Sequence, residues 1–207
     1  MSSAIQRADA CVSLEGVSWE IYLRLRQLPE NRNVRMTYDN GSLELMSPSK
    51  LHARIAELIG RFIASWTEDR SIPIQGCGTT TFHRQPKGLE PDKCYYVQHE
   101  QTTRHRDELD LSVDPPPDLV VEVDVTSPSR DRMPIYAALG VPEVWSWRDE
   151  VLRFLLLEED GYVEHHESRS LPGFPRKIAE RLLMERLSHD DTSLVVRFRT
   201  ATRPGSE

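Results

Sequence analysis

The run Pro117, Asp118, Leu119, Val120, Val121, Glu122, Val123, Asp124, Val125 constrains the fold more than any other stretch. Branched residues fall on both of its faces and a Pro115-Pro116-Pro117 block precedes it, the pattern of a central strand covered on both sides. Alternation puts Asp118, Val120, Glu122 and Asp124 on one face and Leu119, Val121, Val123 and Val125 on the other. At a rise of about 3.3 Å per residue, Glu122 and Asp124 stand about 7 Å apart, close enough to flank one cation, and Asp118 lies about 13 Å from Glu122. Ionised carboxylates inside a sheet are costly unless balanced, and oxygen ligands converging from a strand suit a magnesium-type ion. The competing reading is an edge strand whose carboxylates are solvated or paired with arginine.

With 207 residues and 38% hydrophobic content, the chain is long enough for one substantial core. Cys11, Cys77 and Cys94 are odd in number and lack CxxC spacing, which argues against a disulfide framework or a structural zinc site. No basic region followed by an apolar run opens the chain, and no apolar segment is long enough to span a bilayer, so a soluble cytoplasmic protein is expected. A net charge of -7 disfavours non-specific coating of nucleic acid but leaves room for a local basic groove.

Ser18 caps an expected helix over Trp19 to Leu28, with Pro29 following. Val34, Met36 and Tyr38 alternate, Asn40-Gly41 makes a two-residue turn, and Leu43 to Met46 returns as a β-hairpin. Glu44 alone reads as a solvent-facing residue of that hairpin. Ser47-Pro48-Ser49 opens a helix on which Leu51, Ile55, Leu58, Ile59, Phe62 and Trp66 recur at helical spacing. Glu57 projects away from that stripe and His52 falls on its edge, which favours His52 as a site residue; the ordinary alternative is a ring hydrogen-bonded locally at a helix start. Ile72 to Ile74 and Thr79 to Phe82 have strand propensity. Glu90 to Val97 reads as a strand with Asp92 at its beginning and Lys93 on the opposite face. Gln98 to Pro117 reads as an exposed loop. Ser127-Pro128-Ser129 is a second helix entry, leading to a short helix that ends at Leu139 and Gly140, with Arg132 and Tyr136 on one face. Val141 to Trp147 is an expected strand, and Val151 to Leu157 and Tyr162 to His166 an expected hairpin. His165 and His166 point to opposite faces and do not chelate one metal together. Arg176 to Leu187 closes as an amphipathic helix. The domain plan is a polar leader over 1–13, a single domain over 14–189, and a C-terminal strand (Ser193 to Arg199) or mobile tail over 190–207.

In this order, the hairpin with Glu44, Ser-Pro-Ser before His52, Glu90-Pro91-Asp92, and Asp118 through Glu122-Val123-Asp124 into Ser127-Pro128-Ser129 resemble the Uma-two family of restriction-endonuclease-like proteins, within the PD-(D/E)XK nuclease superfamily. The resemblance runs from about Leu14 to Leu187 and includes Tyr136-Ala-Ala-Leu-Gly-Val-Pro-Glu-Val-Trp145. It implies an α/β (α+β) fold, a restriction-endonuclease-like mixed β-sheet flanked by helices with N-terminal β-hairpin additions. It also implies Asp92 as the superfamily's aspartate, Glu122-Val123-Asp124 as its (D/E)XK element, and Glu44 and His52 close to the site.

One departure matters: Asp124 stands where the superfamily usually has a lysine. An aspartate binds metal but supplies no positive charge, so cleavage relies on a metal or on a cation from elsewhere. Arg132, at a position where the family often carries a basic residue, supplies charge but cannot act as a base. The resulting expectation is an endonuclease hydrolysing DNA phosphodiester bonds with Mg2+ or Mn2+ on Asp92, Glu122 and Asp124, and with Glu44 or His52 orienting water. Analogy with nucleases that cut both strands suggests a homodimer. The alternative is a catalytically silent nuclease fold that binds nucleic acid or a protein partner, favoured by the missing lysine and the acidic charge.

Overall fold

The computed structural model describes residues 9–78, 80–125 and 131–203. In chain order, β1 (Ala10–Leu14) leads to α1 (Trp19–Gln27), whose first turn is capped by the Ser18 side chain accepting from the Ile21 N–H. The hairpin follows as β2 (Arg35–Asp39) and β3 (Ser42–Ser47), turned by Asn40 and Gly41 at φ 50° and 94°. Only residues tolerant of the left-handed region make that two-residue turn, which explains the Asn-Gly pair. Ser49 caps α2 (Lys50–Arg70), and three short strands come next: β4 (Gln75–Gly76), β5 (Phe82–Arg84) and β6 (Lys87–Leu89). β7 (Lys93–Tyr96), the short α3 (Glu100–Thr103) and β8 (Leu119–Asp124) lead to α4 (Met133–Leu139). β9 (Glu143–Arg148), β10 (Val151–Glu158), β11 (Gly161–His165), α5 (Arg176–Met184) and α6 (Asp191–Thr202) complete the chain.

Among the described residues the strands form two sheets. The first is antiparallel, in the order β1-β3-β2-β6-β5, and the second runs β11-β10-β9-β8-β7-β4. The second sheet is mixed because β8 and β9 are parallel, with α4 as the crossover between them. β8 is thus an interior strand, covered on both faces. Leu119, Val121 and Val123 pack with Leu58, Phe62, Leu182 and Phe198 from α2, α5 and α6. Val120 on the other face packs with Val144 and with Ile135, Tyr136 and Leu139 of α4. A smaller core stacks Tyr22 of α1 on Tyr38 at 4.9 Å, together with Met36 and Leu43.

Four segments differ from the sequence reading. Ala10–Leu14, which lies in the expected 1–13 polar leader except for Leu14, is a strand paired with β3, although its side chains are all exposed. An edge strand is held by backbone bonds and needs no apolar pattern. Ser193 to Arg199, expected as a strand on account of Val195 and Val196, lies in α6, because Asp190 caps its start and Leu194, Phe198 and Thr202 recur every four residues on the buried side. Ile72 to Ile74 is not a strand; pairing begins at Gln75. The 98–117 loop contains α3. Ser127-Pro128-Ser129 falls outside the described residues.

Candidate active site

The register of β7 on β8 pairs Lys93 with Val121 and Cys94 with Val120, so one step earlier Asp92 stands opposite Glu122. Opposed residues in an antiparallel pair share a face, so two acids distant in sequence are brought together inside the protein. Asp92 is 1% exposed. Its Oδ2 accepts the Val123 backbone N–H at 2.7 Å, and its Oδ1 meets His52 Nε2 at 2.7 Å and the Arg35 guanidinium. The other ring nitrogen of His52, Nδ1, is 3.0 Å from Asp9, which also accepts the Ser49 N–H at 2.6 Å. A buried chain Asp9, His52, Asp92, Arg35 results.

Beside it runs a second network. Arg132 donates from Nη1 to Glu122 at 2.8 Å and lies 3.5 Å from Glu44 through Nη2, while the Tyr136 hydroxyl donates to the other Glu122 oxygen. Glu44 reaches this place because the hairpin has two occupied faces. Met36, Tyr38 and Leu43 cover α1, and the opposite face, where Thr37 pairs with Glu44 and Arg35 with Met46, is turned towards the acids. Sequence alternation alone makes Glu44 solvent-facing; the second sheet and α4 bury it, to 5% exposure.

The electrostatics follow from this packing. Burial works against the Arg132 charge, but Glu122, Tyr136 and Glu44 outweigh it and hold the guanidinium above its ordinary range. Burial and the neighbouring Glu122 push the Tyr136 hydroxyl well up, so it remains a proton donor. Burial pushes His52 below the ordinary histidine range, with Arg35 adding to it and Asp9 opposing.

The carboxylates expected to form one ligand shell are Asp92, Glu122 and Asp124. Asp92 and Glu122 oppose each other in the interior, whereas Asp124, two residues on, lies near the Arg148 side chain, with Arg148 Nε at 3.8 Å. Asp124 and Glu122 line a cleft of about 500 Å3 with Arg132, Ser146, Arg148 and Arg153. Asp118 lies apart, accepting the Val97 and His99 N–H groups and facing the His99 ring at 2.6 Å. Glu57 is exposed and paired with Lys93, on the face away from Asp92. His165 pairs with Glu158. Sequence reasoning missed Arg35, Asp9 and Tyr136 as partners. For Arg35 a signal existed, because hairpin alternation places it on the Glu44 face.

Among the described residues no group of three or more His, Cys, Asp or Glu side chains is arranged to hold a metal ion. The donor chemistry of Asp92 and Glu122, two buried oxygen ligands, fits a hard divalent cation. The positive charges now facing them are Arg35 and Arg132, so an ion would have to compete with these guanidinium contacts.

A mixed sheet flanked by helices, with an aspartate at the head of one strand opposite a Glu-X-Asp element on the next, defines a restriction-endonuclease-like protein. The chain belongs to the Uma2 family, described as "Putative restriction endonuclease", whose family model matches residues 19–184. No curated protein matches it. Among the described residues no helix is long and apolar enough to cross a membrane.

Proposed function

We propose that this protein is an endonuclease that hydrolyses phosphodiester bonds in DNA with Mg2+ or Mn2+ held by Asp92 and Glu122, and with Asp124 contributing from the cleft. The observation that carries this reading is the opposition of Asp92 and Glu122 across β7 and β8, fixed by the Val123 N–H on Asp92 and opening through Glu122 onto the cleft. A divalent ion bound there supplies Lewis-acid polarisation of the phosphoryl oxygen and a more acidic water. Arg132, permanently charged and buried, offsets negative charge growing on the phosphoryl group and fills the electrostatic role that Asp124 cannot. His52 orients Asp92 through Nε2, and Glu44 accepts a hydrogen bond from the attacking water. Cutting both strands takes two such sites, which a homodimer on DNA supplies.

A second reading, a silent nuclease fold that binds nucleic acid or a protein, is favoured by one observation: Arg35 and Arg132 already neutralise the two acids. Titration with Mg2+ or Mn2+ separates the two. A functional site gives saturable stabilisation, about 2.7 kcal/mol at a hundred times Kd, or roughly 5–10 °C in melting temperature for a chain of this size. It also gives metal-dependent nicking of supercoiled DNA, and Glu122→Ala removes both. A silent site gives neither in the wild type, and nicking that persists unchanged in Glu122→Ala places the activity elsewhere.

A further inference from the structure

At the outer edge of the second sheet, Gln75 and Gly76 of β4 pair with Tyr96 and Tyr95 of β7. The register continues by one residue, so that Cys77 stands opposite Cys94, and the Cys77 N–H donates to the Cys94 carbonyl at 3.0 Å. Opposed residues of an antiparallel pair point to the same face with Cα atoms about 4.5–5.5 Å apart, within the span of about 4.4–6.8 Å that a disulfide bridges. Cys94 is buried in the core formed with Phe82, Val120 and Tyr136, and its Sγ lies 3.4 Å from the Gly78 carbonyl. Cys77, half-buried at the end of the outermost strand, is the member that solvent reaches. The third cysteine, Cys11, is exposed on β1 of the other sheet.

We propose that Cys77 and Cys94 are a reversible oxidation site, closing to an intramolecular disulfide under a hydroperoxide. The Cys77 sulfur attacks the peroxide oxygen, the O–O bond breaks, and a sulfenic acid forms with release of water or an alcohol. The Cys94 sulfur then attacks the Cys77 sulfur, the S–O bond breaks, and a second water leaves. Overall, two thiols lose two protons and two electrons, and the peroxide takes up both. Against the effect of burial, the adjoining Cys94 side chain holds the Cys77 pKa below its ordinary value, and this favours the nucleophilic thiolate at the accessible sulfur. The bridge closes the 78–93 loop, which carries β5, β6, Glu90 and Asp92, and ties the edge strand β4 to β7. The inference stands independently of the nuclease reading.

The test uses the full-length reduced protein, treated under native conditions with a modest excess of hydrogen peroxide. The three thiols fall to one, the intact mass drops by about 2 Da, and a non-reduced peptide map shows Cys77 joined to Cys94. A dithiol reductant reverses all three changes. The oxidised protein melts several degrees higher than the reduced one, and Cys11→Ser gives the same bridge, mass change and melting shift, its two thiols falling to none, whereas Cys77→Ser shows neither bridge nor shift. The peptide map is made on wild-type protein, so it stands even if Cys94→Ser fails to fold. Three results would overturn the proposal: Cys77 carried to the sulfinic acid with Cys94 unmodified, products linked only through Cys11, or a bridge that forms only in denaturant.

Discussion

Arg132 is a cation shared by two buried acids, so its removal has a larger effect than that of any surface arginine. Arg132→Met leaves Glu44 and Glu122 buried without their common counter-charge and is expected to cost about 3–5 kcal/mol at neutral pH, read from urea denaturation. Arg132→Lys keeps the charge but loses the fork that spans both acids, and recovers only part of that loss. His52 sets a pH dependence. Because its pKa in the fold lies below the ordinary 6.5, its contribution to stability is full above about pH 6.5 and is lost as pH falls towards the folded value, where the unfolded chain takes up the proton first. Asp9 acts further into acid: burial raises its pKa, but the Ser49 N–H and His52 outweigh that, so its contribution holds above the ordinary 3.8 and fades below it. Urea midpoints should therefore decline from pH 7 to pH 5 in the wild type, and the slope should flatten in His52→Gln.

At the scale of elements, α6 is the informative case, since it lies beyond the family match at residue 184 yet covers the central helix. Its Phe198 stacks on Phe62 of α2 with ring centroids 4.6 Å apart, and Arg54 of α2 pairs with Asp191 at 2.8 Å. Phe198→Ala should cost about 3–5 kcal/mol, as for other large-to-small core changes. Asp190→Ala, which removes the oxygen that accepts the Ser193 N–H at 3.0 Å, should cost about 1 kcal/mol. Both are checked by the shift in denaturant midpoint at constant slope. A Phe198→Ala effect within the range of surface substitutions would mean that α6 is not part of the cooperative unit.

For the whole molecule, a net charge of -7 requires, on the proposed nuclease reading, that DNA be met locally rather than by the surface at large. The cleft offers Arg132, Arg148 and Arg153, amid Asp124, Asp131 and Asp149. With at most three phosphates neutralised there, the plot of log affinity against log salt should have a slope of about -3 or shallower. Fluorescence anisotropy with a labelled duplex, without divalent ions, measures it. A much steeper slope would require a basic surface outside the cleft.

What the sequence determined by itself is what depends on near neighbours along the chain. The Asn40-Gly41 turn, the cap at Ser49, the helical stripe from Leu51 to Trp66 and the two-faced strand at Leu119–Asp124 all follow from local conformational preference and periodicity. The same periodicity placed Glu57 in solvent and Lys93 on the far face of β7. Tertiary structure alone decided the rest. Glu44 is buried because a second sheet closes over a hairpin face that alternation makes polar, and Asp92 meets Glu122 because of a strand register between segments about thirty residues apart. Ser193–Arg199 became helix because its Leu194 and Phe198 had an apolar surface on α2 to cover, and that packing outweighs the strand preference of Val195 and Val196. The charges on Arg35 and Arg132 came to face the acids by the same route: a buried carboxylate needs a cation, and only the folded chain shows which one lies within reach.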